Sequence, residues 1–131
     1  MIVAIEGTIS NRNLSILIDP GANLSYITPK MMDNFKLTKV RHANPWSVQL
    51  ATGEKRKVTD FIANYEVKIQ DHVTRININI FPLESYDMLI GMDWLERHKV
   101  ILNCFDKTFT YVAEHKTIKK LKSISKPVLL R

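Results

Sequence analysis

The chain lacks the marks of several large protein classes. Its 131 residues hold one cysteine, Cys104, which excludes an internal disulfide framework and suits a reducing compartment. No apolar stretch approaches the roughly 18 residues that a spanning helix needs. The opening Met1-Ile2-Val3-Ala4-Ile5-Glu6 carries neither the basic segment nor the cleavage site of a secretory leader. A cytoplasmic location away from membranes is therefore expected. The Asp-rich metal loops and glycine-rich phosphate loops of nucleotide enzymes are missing. His42, His72, His98 and His115 share no zinc-like spacing with one another or with Cys104, so no metal and no other cofactor is expected. Cys104 reads as a small buried hydrophobe, since nucleophilic work would need a histidine brought to it in space.

What is present is a chain 45% hydrophobic and 24% charged, enough for one globular domain with its own core. The net charge of +6 hints at nucleic acid, but its location weakens that reading. Residues 114–131 hold Lys116, Lys119, Lys120, Lys122, Lys126 and Arg131 against Glu114, so +5 lies there and +1 in residues 1–113. We expect a domain over 1–113 followed by a basic linker or tail over 114–131. Only that tail offers weak affinity for nucleic acid.

Short strands separated by turn residues fill the domain, which makes it all-β. Ile2–Ile9 alternates and stops at Ser10-Asn11-Arg12-Asn13, and Leu14–Ile18 returns as a hairpin. Thr28 as cap and Pro29 at the first helical position predict a short helix to about Phe35. Trp46–Leu50 and Lys55–Val58 flank the turn Ala51-Thr52-Gly53-Glu54, a second hairpin with a polar tip. Phe61–Ile69 and Val73–Phe81 form a third, joined at Gln70-Asp71-His72. Tyr86–Ile90 ends at Gly91, and Met92–His98 reads as a short helix. Val100–Leu102 and Thr108–Val112 make a last hairpin, with Cys104 in its turn. Trp46 and Trp94 are expected to pack the core. Leu17-Ile18-Asp19-Pro20-Gly21 is echoed weakly by Met88-Leu89-Ile90-Gly91, each preceding a short helix.

The residue that asks most for an explanation is Asp19. It ends the apolar run Leu14-Ser15-Ile16-Leu17-Ile18 on a Pro-Gly turn. A lone buried carboxylate costs several kcal/mol unless it is paired. By itself Asp19 reads as a turn former. The chain holds no second copy of the motif, so a natural partner is Asp19 of another subunit. Asp93 reads as a helix-start carboxylate favoured by the macrodipole. Asp87 reads as structural, with Arg97 a possible mate.

Three blocks in order, Leu17-Ile18-Asp19-Pro20-Gly21-Ala22, Ala51-Thr52-Gly53 and Asp87-Met88-Leu89-Ile90-Gly91-Met92-Asp93-Trp94-Leu95, resemble the protease segment of plant gypsy-like LTR retrotransposon Gag-Pol polyproteins. That segment belongs to the retropepsin group of aspartic proteases. The resemblance covers roughly residues 1–112. It implies a closed β-barrel with a flap hairpin and one or two short helices. It implies that Asp19 is the catalytic aspartate, one from each subunit of a homodimer, on the active-site loop Pro20, Gly21 and Ala22. Ala51, Thr52 and Gly53 would be the flap tip over substrate. Leu89, Ile90 and Gly91 would be the ψ-shaped loop that crosses under the active-site turn.

The implied activity is that of an aspartic endopeptidase. Two carboxylates close together share one proton, one activating water and the other polarising the scissile carbonyl. An acid-shifted pH optimum follows. The substrate would be an extended polyprotein segment and the setting a virus-like particle in the cytoplasm. Pro20 departs from the family, which usually has Ser or Thr there; it offers no hydroxyl and no N–H to brace two loops. The alternative class is therefore a retropepsin-like module kept for protein binding or dimerisation, with weak or no catalysis.

Overall fold

The computed structural model describes residues 3–9, 12–31, 38–50, 52–69, 72–83, 85–103, 108–112 and 118–122. The first two strands, β1 (Val3–Ile9) and β2 (Arg12–Ile18), pair antiparallel from Val3 opposite Ile18 to Ile9 opposite Arg12. A two-residue strand β3 (Tyr26–Ile27) precedes a 3-10 turn at Pro29–Met31. Strands β4 (Val40–Gln49), β5 (Lys55–Ile69), β6 (His72–Ile80) and β7 (Met88–Ile90) follow, then helix α1 (Met92–Arg97). The chain continues through β8 (Ile101–Asn103), β9 (Thr108–Val112) and β10 (Ile118–Lys122).

Seven strands run in the order β1-β2-β7-β3-β6-β5-β4, and β1 also pairs with β5 at Gly7–Ile69 and Thr8–Lys68. That extra pairing closes six strands into a barrel and leaves β4 outside the ring, where among the described residues its strand partner is β5. The architecture is the expected all-β closed barrel with a projecting hairpin and a short helix. Closure removes the open sheet edge. Alternation fills the interior: Ile5, Ile16, Ile18, Ile27, Ile69, Ile78, Met88 and Ile90 are essentially inaccessible to solvent. Each such side chain contributes about 1.5–3 kcal/mol of burial.

Several element boundaries differ from the sequence expectation. β5 is one 15-residue strand rather than two, because it runs from the hairpin tip into the barrel wall. Its pairing with β6 shifts register between Ile62 and Tyr65. There Asn64 sits at φ 49°, a conformation asparagine tolerates better than most residues, and its N–H donates to Asn77 Oδ1 at 2.9 Å. β4 begins at Val40, ahead of Pro45, since its register with β5 breaks between Arg41 and Trp46 and the proline falls in that break. Of the helix expected from Thr28 to Phe35, Pro29–Met31 forms a 3-10 turn and the remainder lies outside the described residues, as does Cys104.

The two tryptophans part company. Trp94 is fully buried at the start of α1 and donates its indole N–H to Thr74 Oγ1 at 2.9 Å. Trp46 is half-exposed on β4 and lies outside the core, because β4 is outside the barrel. A second antiparallel sheet, β10-β9-β8, docks on α1. The Tyr111 ring lies tilted against Trp94 at 5.1 Å, and the Val112 N–H donates to the His98 carbonyl at 2.8 Å. β10 lies within the basic 114–131 segment and pairs with β9 from Ile118–Val112 to Lys122–Thr108.

Candidate active site

Strand β7 lies between β2, with which it is parallel, and β3, with which it is antiparallel. Asp19 leaves β2 there, and its N–H donates to the Ile90 carbonyl at 2.9 Å. The chain then reverses within four residues, closed by Ala22 N–H to Asp19 O at 3.1 Å. Pro20 presets φ at the second turn position. Gly21 N–H donates to Asp19 Oδ1 at 2.8 Å, which fixes the carboxylate over its own turn. Asp19 is half-buried, and among the described residues no hydrogen bond reaches its Oδ2.

Gly91 is the underside of that turn. A Cβ at this position would lie 2.7 Å from the Ala22 carbonyl oxygen and 2.8 Å from the Leu24 carbonyl carbon. Only hydrogen fits. The next residues lace the two segments together, Met92 N–H donating to Ala22 O at 2.7 Å and Asp93 N–H to Asn23 O at 3.0 Å. Leu89-Ile90-Gly91 thus passes directly beneath Asp19-Pro20-Gly21-Ala22, which brings together two of the three expected segments.

Asp93 does more than start a helix. Its carboxylate accepts from Trp94 N–H at 2.8 Å, from Ser25 N–H at 3.1 Å and from the Ser25 hydroxyl at 2.6 Å. Ser25 is fully buried, and its Oγ also accepts from Gly91 N–H at 3.0 Å. Ser25 was not singled out from the sequence; the signal was a small hydroxyl between Leu24 and Tyr26, in a segment otherwise apolar. Asp87 is structural as expected: its Oδ2 accepts from Ser15 N–H at 2.9 Å. Arg97 does not join it. Arg97 donates instead to the Arg75 carbonyl at 2.7 Å.

Pro20 lines a hollow of about 280 Å³ with Met92, Leu95, Val100 and Leu102, and with the charged Glu96 and Lys99. The β4–β5 hairpin closes with Leu50 N–H to Glu54 O at 2.7 Å and Gly53 N–H to Leu50 O at 2.9 Å. Gly53 takes φ +89°, open only to glycine at low cost. Thr52 and Gly53 form the exposed tip; Ala51 lies outside the described residues. Trp46 on β4 lies beside the Tyr26 phenol on β3. Burial raises the pKa of that phenol, the neighbouring Trp46 indole pulls it down, and the Asp93 carboxylate adds to the rise. Among the described residues no three His, Cys, Asp or Glu side chains converge on a point that could hold a metal.

A six-stranded barrel with an Asp-Pro-Gly turn laced onto an apolar-apolar-glycine strand defines an acid-protease-like domain. The family model described as retroviral aspartyl protease matches residues 2–117, and the chain belongs to that family. Among solved structures, the retroviral protease-like domain of Ddi1 from Leishmania major superposes with a TM-score of 0.70 at 15% identity, covering 98% of each chain. Lpg0085, a Legionella pneumophila protein of unknown function, aligns with a TM-score of 0.45 at 17% identity, over 72% of this chain and 84% of its own. No curated protein sequence matches this one.

Proposed function

We propose that the chain is an aspartic endopeptidase that acts as a homodimer and matures a retrotransposon Gag-Pol polyprotein in the cytoplasm. The observation that carries the reading is Asp19: half-buried, tied through its backbone to Ile90, with Oδ1 engaged by Gly21 and Oδ2 left for water or a second carboxylate. One such carboxylate is half of a dyad. With a symmetry mate within about 3 Å the pair shares a proton, and its ionised member deprotonates the attacking water while the other polarises the carbonyl. The β4–β5 hairpin supplies a cover for an extended peptide, whose backbone its tip can hydrogen-bond. In this reading Ala51, Thr52 and Gly53 touch substrate, and Leu89, Ile90 and Gly91 hold the Asp19 loop in place. The basic residues of 114–131 connect the domain to the rest of the polyprotein.

The test is cleavage of a degenerate peptide pool at acidic pH by wild type and by Asp19→Asn. Cleavage by wild type alone supports the proposal; equal rates refute it. The second reading, a binding or dimerisation module without catalysis, is favoured by Pro20, which can form no hydroxyl bridge between two loops. A dimer on size-exclusion chromatography with no cleavage at any pH selects it.

A further inference from the structure

We infer that the hollow beside Pro20 seats the second copy of this chain, with Glu96 of each subunit paired to the partner's Lys99. The inference rests on the dimeric endopeptidase reading and adds to it the contacts by which one copy selects another. Pro20 belongs both to the Asp19 turn and to the wall of the hollow. Consecutive Cα atoms are 3.8 Å apart. A twofold axis that brings two Asp19 carboxylates within about 3 Å therefore puts Pro20, and the hollow it lines, beside the partner.

The floor of the hollow is apolar. Leu95 belongs to the core, and Met92, Val100 and Leu102 are partly buried side chains packed against it. One side of each is covered by the core and the other faces the hollow. The volume of about 280 Å³ falls below the roughly 300–1,000 Å³ of sites that enclose an organic ligand. It suits the side chains of a docked protein better than a small molecule.

The charges on the rim select the occupant. Helix α1 ends with Lys99 N–H donating to Glu96 O at 3.2 Å and Val100 N–H to Leu95 O at 3.0 Å. In that closure the residue after the cap is left-handed and is usually glycine. Here it is Lys99, at φ 50°. Asn64 shares this region, but asparagine tolerates it and lysine does so poorly. A lysine kept where the backbone favours glycine points to a role outside the fold of one subunit. Glu96 and Lys99 are both exposed. Among the described residues the ion pairs are Arg56–Glu54 and Arg75–Glu66, so neither rim charge is paired within the chain. An acid and a base on one patch complement each other under a twofold rotation. Where Glu96 meets the partner's Lys99, Lys99 meets the partner's Glu96. One rotation satisfies both contacts, which is why the occupant is a second copy. With no hydroxyl at Pro20 to bridge the loops, these contacts hold the two Asp19 turns in line.

The test is the dimer Kd of the full chain, from sedimentation velocity over a dilution series, for wild type, Glu96→Lys and Lys99→Glu. Each substitution sets like charges against each other twice per dimer and should weaken association about tenfold. Both positions are exposed, so circular dichroism should show the fold unchanged. An equimolar mixture of the two variants should regain the wild-type Kd, because both contacts of the heterodimer are then opposite in charge. Native mass spectrometry identifies that heterodimer by mass. A fault in folding would not be repaired by mixing. Single variants with the wild-type Kd overturn the inference, as do weakened variants that stay apart when mixed and a wild type that is monomeric at every concentration. The two readings fail differently. Association rescued by mixing, without cleavage of the peptide pool, removes the endopeptidase and keeps the interface; cleavage by a dimer indifferent to both charges does the reverse.

Discussion

Substituting Gly91 with alanine is the sharpest test of how the Asp19 loop is held. The added methyl meets backbone rather than a flexible side chain: the Ala22 carbonyl oxygen at 2.7 Å and the Leu24 carbonyl carbon at 2.8 Å. Relief requires moving either the turn that carries Asp19 or the strand beneath it. Movement strains Met92 N–H to Ala22 O at 2.7 Å, Asp93 N–H to Asn23 O at 3.0 Å and Gly91 N–H to Ser25 Oγ at 3.0 Å. Overpacking alone costs about 1–3 kcal/mol, and weakening even one of these bonds adds about 1 kcal/mol. We expect a loss of about 3 kcal/mol, read as a lower urea midpoint with unchanged m, and a Tm lower by roughly 10 °C. Peptide cleavage should fall further than stability, because the displaced segment carries the carboxylate. A Gly91→Ala protein within about 0.5 kcal/mol of wild type would falsify the claim that these two segments are in hard contact.

Three further outcomes follow from the same geometry. Ser25→Ala removes the 2.6 Å bond to Asp93 and leaves Gly91 N–H without its acceptor, so it should cost about 1–3 kcal/mol in urea unfolding; a neutral result refutes the bracing role. Gly53→Ala, at φ +89° on the exposed tip, should destabilise by about 1–2 kcal/mol and raise KM; a substitution that stabilises would show that the tip has another conformation. Burial pushes the Tyr65 and Tyr111 phenols up to about 12. Their protonated form is favoured in the folded state, so the stability they contribute is complete below pH 10 and is lost between pH 10 and 12. Tyrosinate absorbance should therefore show the Tyr65 and Tyr111 phenols titrating late, identified by their loss in Tyr65→Phe and Tyr111→Phe, and an amplitude lost near pH 10 in either variant would refute the burial of that residue.

Much of the barrel was legible because its strands carry period-two alternation, and alternation is a local property. The later part of Val73–Ile80 declares a wet and a dry face without reference to the rest of the chain. Asp19-Pro20-Gly21 by itself reads as a turn, and its place as a candidate site comes only with the resemblance carried by all three blocks. The β5 strand reads from sequence as two runs, Lys55–Val58 and Phe61–Ile69, yet it is continuous and is wet where it leaves the barrel to meet β4. Trp46 was expected in the core because its size argues for burial. Its actual place depends on β4 lying outside the closed ring, which no window of sequence contains.

The sequence by itself determined most of the barrel strands, the one carboxylate on its turn, and the glycine-bearing turn at Ala51-Thr52-Gly53-Glu54. Tertiary structure alone decided what each is for. Only when β7 slides between β2 and β3 does Gly91 lie under Ala22, and only then do Ser25 and Asp93, 68 positions apart, become one hydrogen-bonded brace. The physical reason is that strand order is set by closure of the whole sheet, a condition that involves residues 7 and 69 at once. Local propensity carries no information about such pairs.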